Sequence, residues 1–103
     1  MDHAAILLMM TEVAEEYDEA FNDWYDNEHI PELLALPGLV SAERYRIVGE
    51  GIRYLALYRL ADTSVPESEA YVTWRDNSES TKLWTSRFIH RERHLYALMK
   101  ASS

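Results

Sequence analysis

Apolar residues recur along the chain in runs and alternations that predict an ordered set of strands and helices. The continuous apolar run at residues 4–11 is typical of a strand buried on both faces. From Glu15 to about Ile30, acids in the first turn and apolar side chains at helical spacing predict a helix. Pro31 disfavours helical geometry at Ile30, so we expect the helix to stop or jog there, with a further turn at residues 32–36.

The rest of the chain predicts a hairpin, two helical pieces and a last strand. The predicted bounds are about 39–48 and 52–60 for the hairpin strands, 66–77 and 78–89 for the helices, and 93–100 for the last strand. The loop Gly49-Glu50-Gly51 is typical of a hairpin connection. The order βαββαβ predicts one α+β domain over residues 1–103, ferredoxin-like, with an antiparallel four-stranded sheet and the helices on one face.

A sheet of this kind has one face without helices. In the predicted third strand, Tyr54 and Tyr58 fall on one side and Leu55 and Leu57 on the other, so both sides are substantially apolar. An exposed apolar patch of that size is uncommon in soluble monomers. We therefore expect a homodimer whose sheets stack face to face, with Tyr54 and Tyr58 lining the space between them. The alternative is an open monomer with a modestly apolar sheet.

Composition excludes several partners and chemistries. The chain has 103 residues and a net charge of −8 without a basic run, which argues against nucleic acid and anionic membranes as partners. It has no cysteine, so disulfides, thiolate catalysis and sulfur-ligated metals are not expected. The acidic start lacks the features of a secretory signal, and the longest apolar run is shorter than a membrane span. We expect a cytoplasmic protein.

The segment FNDWYDNEHIPELLALPGLVSAERYR, residues 21–46, resembles the EthD-like branch of the dimeric α+β barrel superfamily. The shared landmarks are the Trp-Tyr, Glu-His, Pro and Pro-Gly positions. The resemblance implies a homodimer with a cavity between sheet and helices or at the shared interface. It also implies that the pocket region includes Trp24, Tyr25, Glu28 and His29. The superfamily includes polyketide cyclases, lactone isomerases, cofactor-independent monooxygenases, haem-handling proteins and accessory proteins of degradation pathways, so activity has to be argued from the site.

His29 is the main catalytic candidate within this segment. Its ring titrates near neutrality, so it suits proton transfer on an enolisable aromatic or ketone substrate. Tyr25, one turn earlier, and Asp26, three residues earlier, are close enough on a helix to orient it. The alternative is that His29 simply ends a helix, where its partial positive charge interacts favourably with the helix dipole.

Two neighbours of His29 have a structural alternative as well. Trp24 is a candidate for the apolar wall of a pocket, although an aromatic at helical spacing is more often part of the core. Glu28 is expected on the same side as Trp24. If partly buried, it would act as an acid with a raised pKa or pair with an arginine such as Arg44.

Outside this segment, Arg44 and His94 are candidate substrate-binding residues. Arg44, on a hairpin strand, suits a carboxylate or phenolate, although such arginines more often serve solubility and ion pairing. His94 alternates with Tyr96 and is expected to point into the apolar space of the sheet. His90 and His94 would share one side of a helix, but a change from helix to strand is expected between them and no third ligand is apparent. We therefore predict no metal and no cofactor.

Together these features predict a homodimer that binds a small, mostly apolar or aromatic molecule. The predicted chemistry is a cofactor-free proton transfer, namely isomerisation, cyclisation or decarboxylation, with His29 as base or acid and with Trp24, Tyr54 and Tyr58 as the pocket wall. The alternatives are a non-catalytic accessory or binding protein, and a cofactor-independent monooxygenase.

Overall fold

The computed structural model describes residues 2–102 as one four-stranded sheet with helices against one face. The strands are β1 (Ala5–Val13), β2 (Leu39–Arg46), β3 (Tyr54–Leu60) and β4 (Phe88–Ala97), and the α-helices are α1 (Asp18–Trp24), α2 (Ile30–Leu34), α3 (Glu69–Asn77) and α4 (Glu79–Ser86). Short 3-10 turns, Glu15–Tyr17 and Val65–Glu67, come before α1 and α3, and a π-helical turn, Tyr25–His29, joins α1 to α2. The strand order is β2-β3-β1-β4, and each adjacent pair of these strands is antiparallel. The predicted α+β ferredoxin-like fold is confirmed.

The register of the strands determines which side chains face the helices. Directly opposed residues share a face, so Leu7 of β1 lies with Tyr58 of β3 and with Leu95 of β4. The helix-covered face contains the fully buried Ala5, Leu7, Tyr58 and Leu60. Tyr54 and Tyr58 are both on this face, so the expectation that they line a space between two stacked sheets is wrong. The period of two along β3 places them together, and the helices cover them.

The first helical segment differs from the prediction at its end. It continues through Pro31, and the jog comes earlier, as the π-helical turn in which the amide of Ile30 donates to the carbonyl of Tyr25. In a regular α-helix the ring of Pro31 would clash with the carbonyl four residues earlier, and the wider turn avoids that clash. The extra residue in the turn brings His29 inward and leaves Glu28 exposed. The expectation that Glu28 shares the buried side of Trp24 is therefore wrong.

The last strand begins five residues earlier than predicted. Helix α4 ends at Ser86, and β4 runs from Phe88. Its polar run at residues 90–94 obscures the alternation because β4 is an edge strand, where charged side chains are common. His90 and His94 thus lie in a strand opposite Glu12 and Leu8 of β1, on the face without helices.

Aromatic side chains dominate the core between the sheet and the helices. Phe21 is completely buried and contacts the rings of Trp24, Tyr25 and Trp84 at centroid distances of 5.5 to 6.2 Å. Burial of that much aromatic surface is the main stabilising contribution in so small a domain. Within residues 2–102, no helix has the length and apolar character needed to cross a bilayer.

Candidate functional site

A cavity of about 450 Å³ lies between the helix-covered face of the sheet and the helices. Its floor comes from β1 and β3, and its walls come from the π-helical turn, α3 and α4. The apolar and aromatic lining residues are Leu7, Met9, Trp24, Tyr25, Leu33, Leu39, Tyr58, Tyr71, Trp74 and Phe88. A concave, mostly apolar space of this volume, rich in aromatic side chains, is typical of a small-molecule site.

His29 lies in the wall of this cavity and is 8% exposed. Its ring stacks on Trp24 with centroids 4.5 Å apart and lies 5.5 Å from the ring of Trp74 on α3. Tyr25 meets it edge-on at 4.7 Å. Three aromatic rings therefore fix the imidazole, and the π-helical turn brings it onto the ring of Trp24, five residues earlier.

Burial, and to a smaller extent the positive charge of Arg44, lower the pKa of His29 from 6.5 to about 4. The ring is thus neutral at pH 7. Its Nδ1 lies 3.4 Å from the hydroxyl oxygen of Thr81, which itself accepts a hydrogen bond from Ser78 at 2.7 Å. When Nδ1–H donates to Thr81, Nε2 keeps a lone pair that can accept a proton; in the other tautomer Nε2–H is a donor.

Two phenols form a second polar element in the cavity wall. The hydroxyls of Tyr25 and Tyr58 are 2.5 Å apart, and both residues line the cavity. Burial raises the pKa of Tyr25 to about 12 and also raises the pKa of Tyr58, so both phenols keep their protons at pH 7. One hydroxyl donates to the other. Among the described residues no acceptor takes the second proton, which leaves one O–H donor for a bound molecule.

The two indole nitrogens beside His29 also lack partners. Within residues 2–102, Nε1 of Trp24 and Nε1 of Trp74 are buried without a hydrogen bond. Unpaired buried donors are uncommon in folded proteins. Both indoles contact the imidazole, so this part of the wall contains two N–H donors without a partner.

Arg44 and Tyr54 lie behind the cavity wall and are not among the residues that line it. The Arg44 guanidinium lies 4.4 Å from the centre of the Tyr25 ring and pairs with Asp26 at 3.0 Å. The Tyr54 hydroxyl donates to Asp18 at 2.8 Å and accepts from Asn22 at 3.0 Å. Both predicted substrate-binding side chains thus contact other residues of the protein, and Arg44 packs on the ring of Tyr25 from behind.

Three other predicted site residues do not come together with His29. Asp26 is exposed and pairs with Arg44, so the Tyr25 ring, not this carboxylate, contacts the imidazole. Glu28 points to solvent. His94 lies on the open face of the sheet, with Nε2 3.1 Å from Glu92, because its register partner Leu8 points away from the helices. His94 therefore lies on the apolar open face and does not line the cavity, and its role in substrate binding stays a prediction.

Sequence patterns did not identify two residues that hold His29. Trp74 had the helical spacing of a core residue, and nothing distinguished it as a neighbour of the imidazole. No sequence pattern pointed to Thr81, since its contact with His29 depends on α4 crossing the π-helical turn. Both come from the second half of the chain, far from His29 in sequence.

Comparisons with known proteins agree with the fold. The model of a family described as a domain of unknown function, DUF4286, matches residues 4–97. No curated protein matches the chain in sequence. An EthD family protein from Bacillus halodurans has a similar structure, with a TM-score of 0.68 and 18% identity over 93% of this chain and 99% of that chain. The predicted resemblance to the EthD-like branch is supported.

Two further solved structures share the fold. A dimeric ferredoxin-like protein from an uncultured marine organism has a TM-score of 0.72 and 12% identity, over 99% of this chain and 93% of that chain. A Streptomyces coelicolor monooxygenase from the gene ActVA-Orf6, in complex with the ligand nanaomycin D, has a TM-score of 0.75 and 10% identity, over 98% of this chain and 92% of that chain. At these identities the similarity shows the fold alone.

Proposed function

This chain belongs to the DUF4286 family, and we propose that it binds a flat, mostly apolar aromatic molecule and transfers a proton on it without a cofactor. The observation that carries the proposal is a buried, neutral imidazole in the wall of an aromatic cavity of about 450 Å³. The structural similarity to a protein bound to nanaomycin D supports a ligand in this fold. The subunit is a single domain and functions in the cytoplasm.

The two polar elements of the cavity have complementary roles in this proposal. His29, as the Nδ1–H tautomer, accepts a proton from carbon at Nε2. The free phenolic proton of the Tyr25–Tyr58 pair donates to the neighbouring carbonyl oxygen, where negative charge develops. A base with a pKa of about 4 is weak, so the proposal requires an acidic carbon such as one between two carbonyls. The same proton then returns from His29 to another position of the substrate.

Benzoylacetone, an aromatic diketone, is a suitable probe of this chemistry. Dilution from an organic solvent into buffer starts the conversion of its enol to the ketone, which ultraviolet absorbance follows. We expect the protein to accelerate this conversion and His29→Gln to abolish the acceleration. The matched control, His94→Gln, removes an imidazole on the open face and retains it. An unchanged rate in folded His29→Gln protein would remove His29 from the mechanism.

The remaining outcomes separate the two other hypotheses. Saturable binding of aromatic probes, without acceleration by the wild-type protein, identifies a non-catalytic binding or accessory protein. The structural similarity to a monooxygenase motivates the third hypothesis. Oxygen consumption in the presence of an aromatic hydroquinone, measured with an oxygen electrode, would support it over proton transfer.

The proposal also includes a homodimer formed through the open face of the sheet. Ile6, Leu8 and Met10 of β1 and Leu55 and Leu57 of β3 lie side by side on that face and are only partly buried within one subunit. A contiguous apolar surface of this kind needs a cover in a soluble protein. A second copy presents the same apolar surface, and the similarity to a dimeric ferredoxin-like protein supports that arrangement.

A charge on the open face tests the dimer. Leu57→Glu places a carboxylate at the centre of the apolar surface, and we expect sedimentation equilibrium to show a monomer. Leu83→Glu, at a position on α4 that is 48% exposed, is the matched control and should remain dimeric. A wild-type protein that sediments as a monomer at micromolar concentration would refute this part of the proposal.

A further inference from the structure

The charges around the cavity have one sign. Its lining contains four cationic residues, Arg75 on α3, Lys82 on α4, and Arg91 and Arg93 on β4, and it contains no aspartate or glutamate. The chain as a whole has the opposite balance, with 18 acids against 10 lysines and arginines. The cavity thus combines an aromatic interior with a positively charged mouth in an acidic protein.

Arg91 and Arg93 are the two cations on the sheet side of the mouth. They lie opposite Thr11 and Met9 of β1, which line the cavity, so both belong to the helix-covered face. Both are nevertheless exposed, because β4 is the edge of the sheet. Within the part of the chain that the structure describes, neither arginine forms an ion pair with a carboxylate.

The other two cations are only weakly engaged. Arg75 lies 3.3 Å from Asp76 and Lys82 lies 3.5 Å from Glu79, and all four of these side chains are more than half exposed. Exposed pairs of this kind contribute little energy and exchange readily with another anion. All four cations are therefore available to a negatively charged ligand at the mouth.

Protection of the sheet edge does not explain this arrangement. Charged side chains of either sign prevent edge-to-edge pairing of strands. On the other face of the same strand the sequence uses Glu92, so acids are accommodated in β4. Four like charges around one opening repel each other unless an anion occupies it, whereas a positive rim concentrates anionic ligands there.

We infer that the ligand of this cavity is an amphipathic anion, whose aromatic body packs against the aromatic wall and whose carboxylate or similar acidic group binds Arg91 and Arg93 at the mouth. This inference rests on the proposed function and specifies its substrate class. Arginine suits the role because its planar guanidinium can bind a carboxylate with two hydrogen bonds. Arg75 and Lys82 add longer-range attraction from the helical side of the opening.

Two fluorescent probes that differ only in charge test the inference. Anilinonaphthalene sulfonate carries an anionic group, and phenylnaphthylamine is the same aromatic skeleton without it. We expect the wild-type protein to bind both, with the anion favoured. Arg91→Gln/Arg93→Gln should weaken binding of the sulfonate about tenfold and leave binding of phenylnaphthylamine unchanged. Added salt should reproduce this selective weakening.

Two control variants test whether the selective loss of sulfonate binding arises at the mouth of the cavity. Arg46→Gln/Arg59→Gln also changes the formal net charge from −8 to −10 but lies on other strands, and it should keep the wild-type preference. Thr85→Trp at an exposed lining position of α4 places an indole across the opening and should weaken both probes. Sulfonate binding that survives this blockage arises elsewhere and overturns the inference.

The outcomes distinguish the inference from the function on which it rests. Equal affinity of the wild-type protein for both probes, or an equal loss of affinity for both in the Arg91/Arg93 variant, overturns the inference of an anionic ligand. Neither result contradicts the aromatic site. Failure of the wild-type protein to bind phenylnaphthylamine overturns the aromatic site itself. Loss of sulfonate binding alone, in the Arg91/Arg93 variant and not in the Arg46/Arg59 control, establishes the anion-binding mouth.

Discussion

Replacing His29 by glutamine should change how the stability of the protein depends on pH. The wild-type imidazole is buried and neutral, and its pKa is lowered from 6.5 to about 4, first by burial and then by the charge of Arg44. The unfolded chain therefore binds more protons than the native protein between these two values. Stability that is fully present above pH 6.5 is lost as the pH falls, and the loss is complete below about pH 4.

The difference in pKa determines the size of the effect. A pKa lowered from 6.5 to about 4 corresponds to a loss of about 3 kcal/mol in the free energy of unfolding, with about 2 kcal/mol already lost at pH 5. Since His29 is only 8% exposed, solvent screening reduces this value little. Against a typical stability of about 5–15 kcal/mol, such a loss is readily measured.

Urea denaturation of wild type and His29→Gln at fixed protein concentration, from pH 8 to pH 4, measures the effect. Titration of the many carboxylates affects both proteins and cancels in the difference between their free energies of unfolding. That difference should be constant above pH 7 and then shift against the wild type by about 3 kcal/mol. His90→Gln, on the exposed edge strand, should retain the wild-type curve. Parallel curves for wild type and His29→Gln would refute the burial of a neutral imidazole.

Two further predictions concern the cavity wall and a turn. Tyr58→Phe leaves the buried Tyr25 hydroxyl without its 2.5 Å partner and should lower the free energy of unfolding, measured by urea denaturation, by about 1–3 kcal/mol. Replacing both tyrosines by phenylalanine should cost less than the sum of the two single changes. Additive losses would contradict the hydrogen bond between the phenols. Gly38 has a φ of +88°, and a Cβ added there would lie only 2.5 Å from the side chain of Val65. Gly49 has a similar φ of +98°, but an added Cβ would meet no atom within 4 Å, so Gly38→Ala should lower the Tm more than Gly49→Ala. Equal losses of Tm would contradict the close contact with Val65.

Several features of the fold followed from local patterns. The alternation in β3 and the glycine loop before it predicted the hairpin, and the apolar run at the start predicted β1. The bounds of β4 did not follow, because charged residues at a sheet edge hide the period of two. The segment with Trp24 and His29 indicated the position of the site, since aromatic rings and an imidazole were concentrated there.

The arrangement of the site depended on contacts between distant segments. A period of 3.6 residues placed Glu28 inward, whereas the π-helical turn before Pro31 brings His29 to the core instead. Trp74 and Thr81 reach the imidazole from α3 and α4, and Arg91 and Arg93 reach the mouth through the register of β4 with β1.

Periodicity and turn residues depend on neighbours a few positions apart, so the chain alone specified the order of elements, the antiparallel hairpin and the presence of an apolar open face. Cavities form where elements from distant parts of the chain fail to fill the space between them. Their lining, the burial that keeps His29 neutral and the positive mouth therefore required the packed tertiary structure, because desolvation and charge clustering are properties of three-dimensional neighbours.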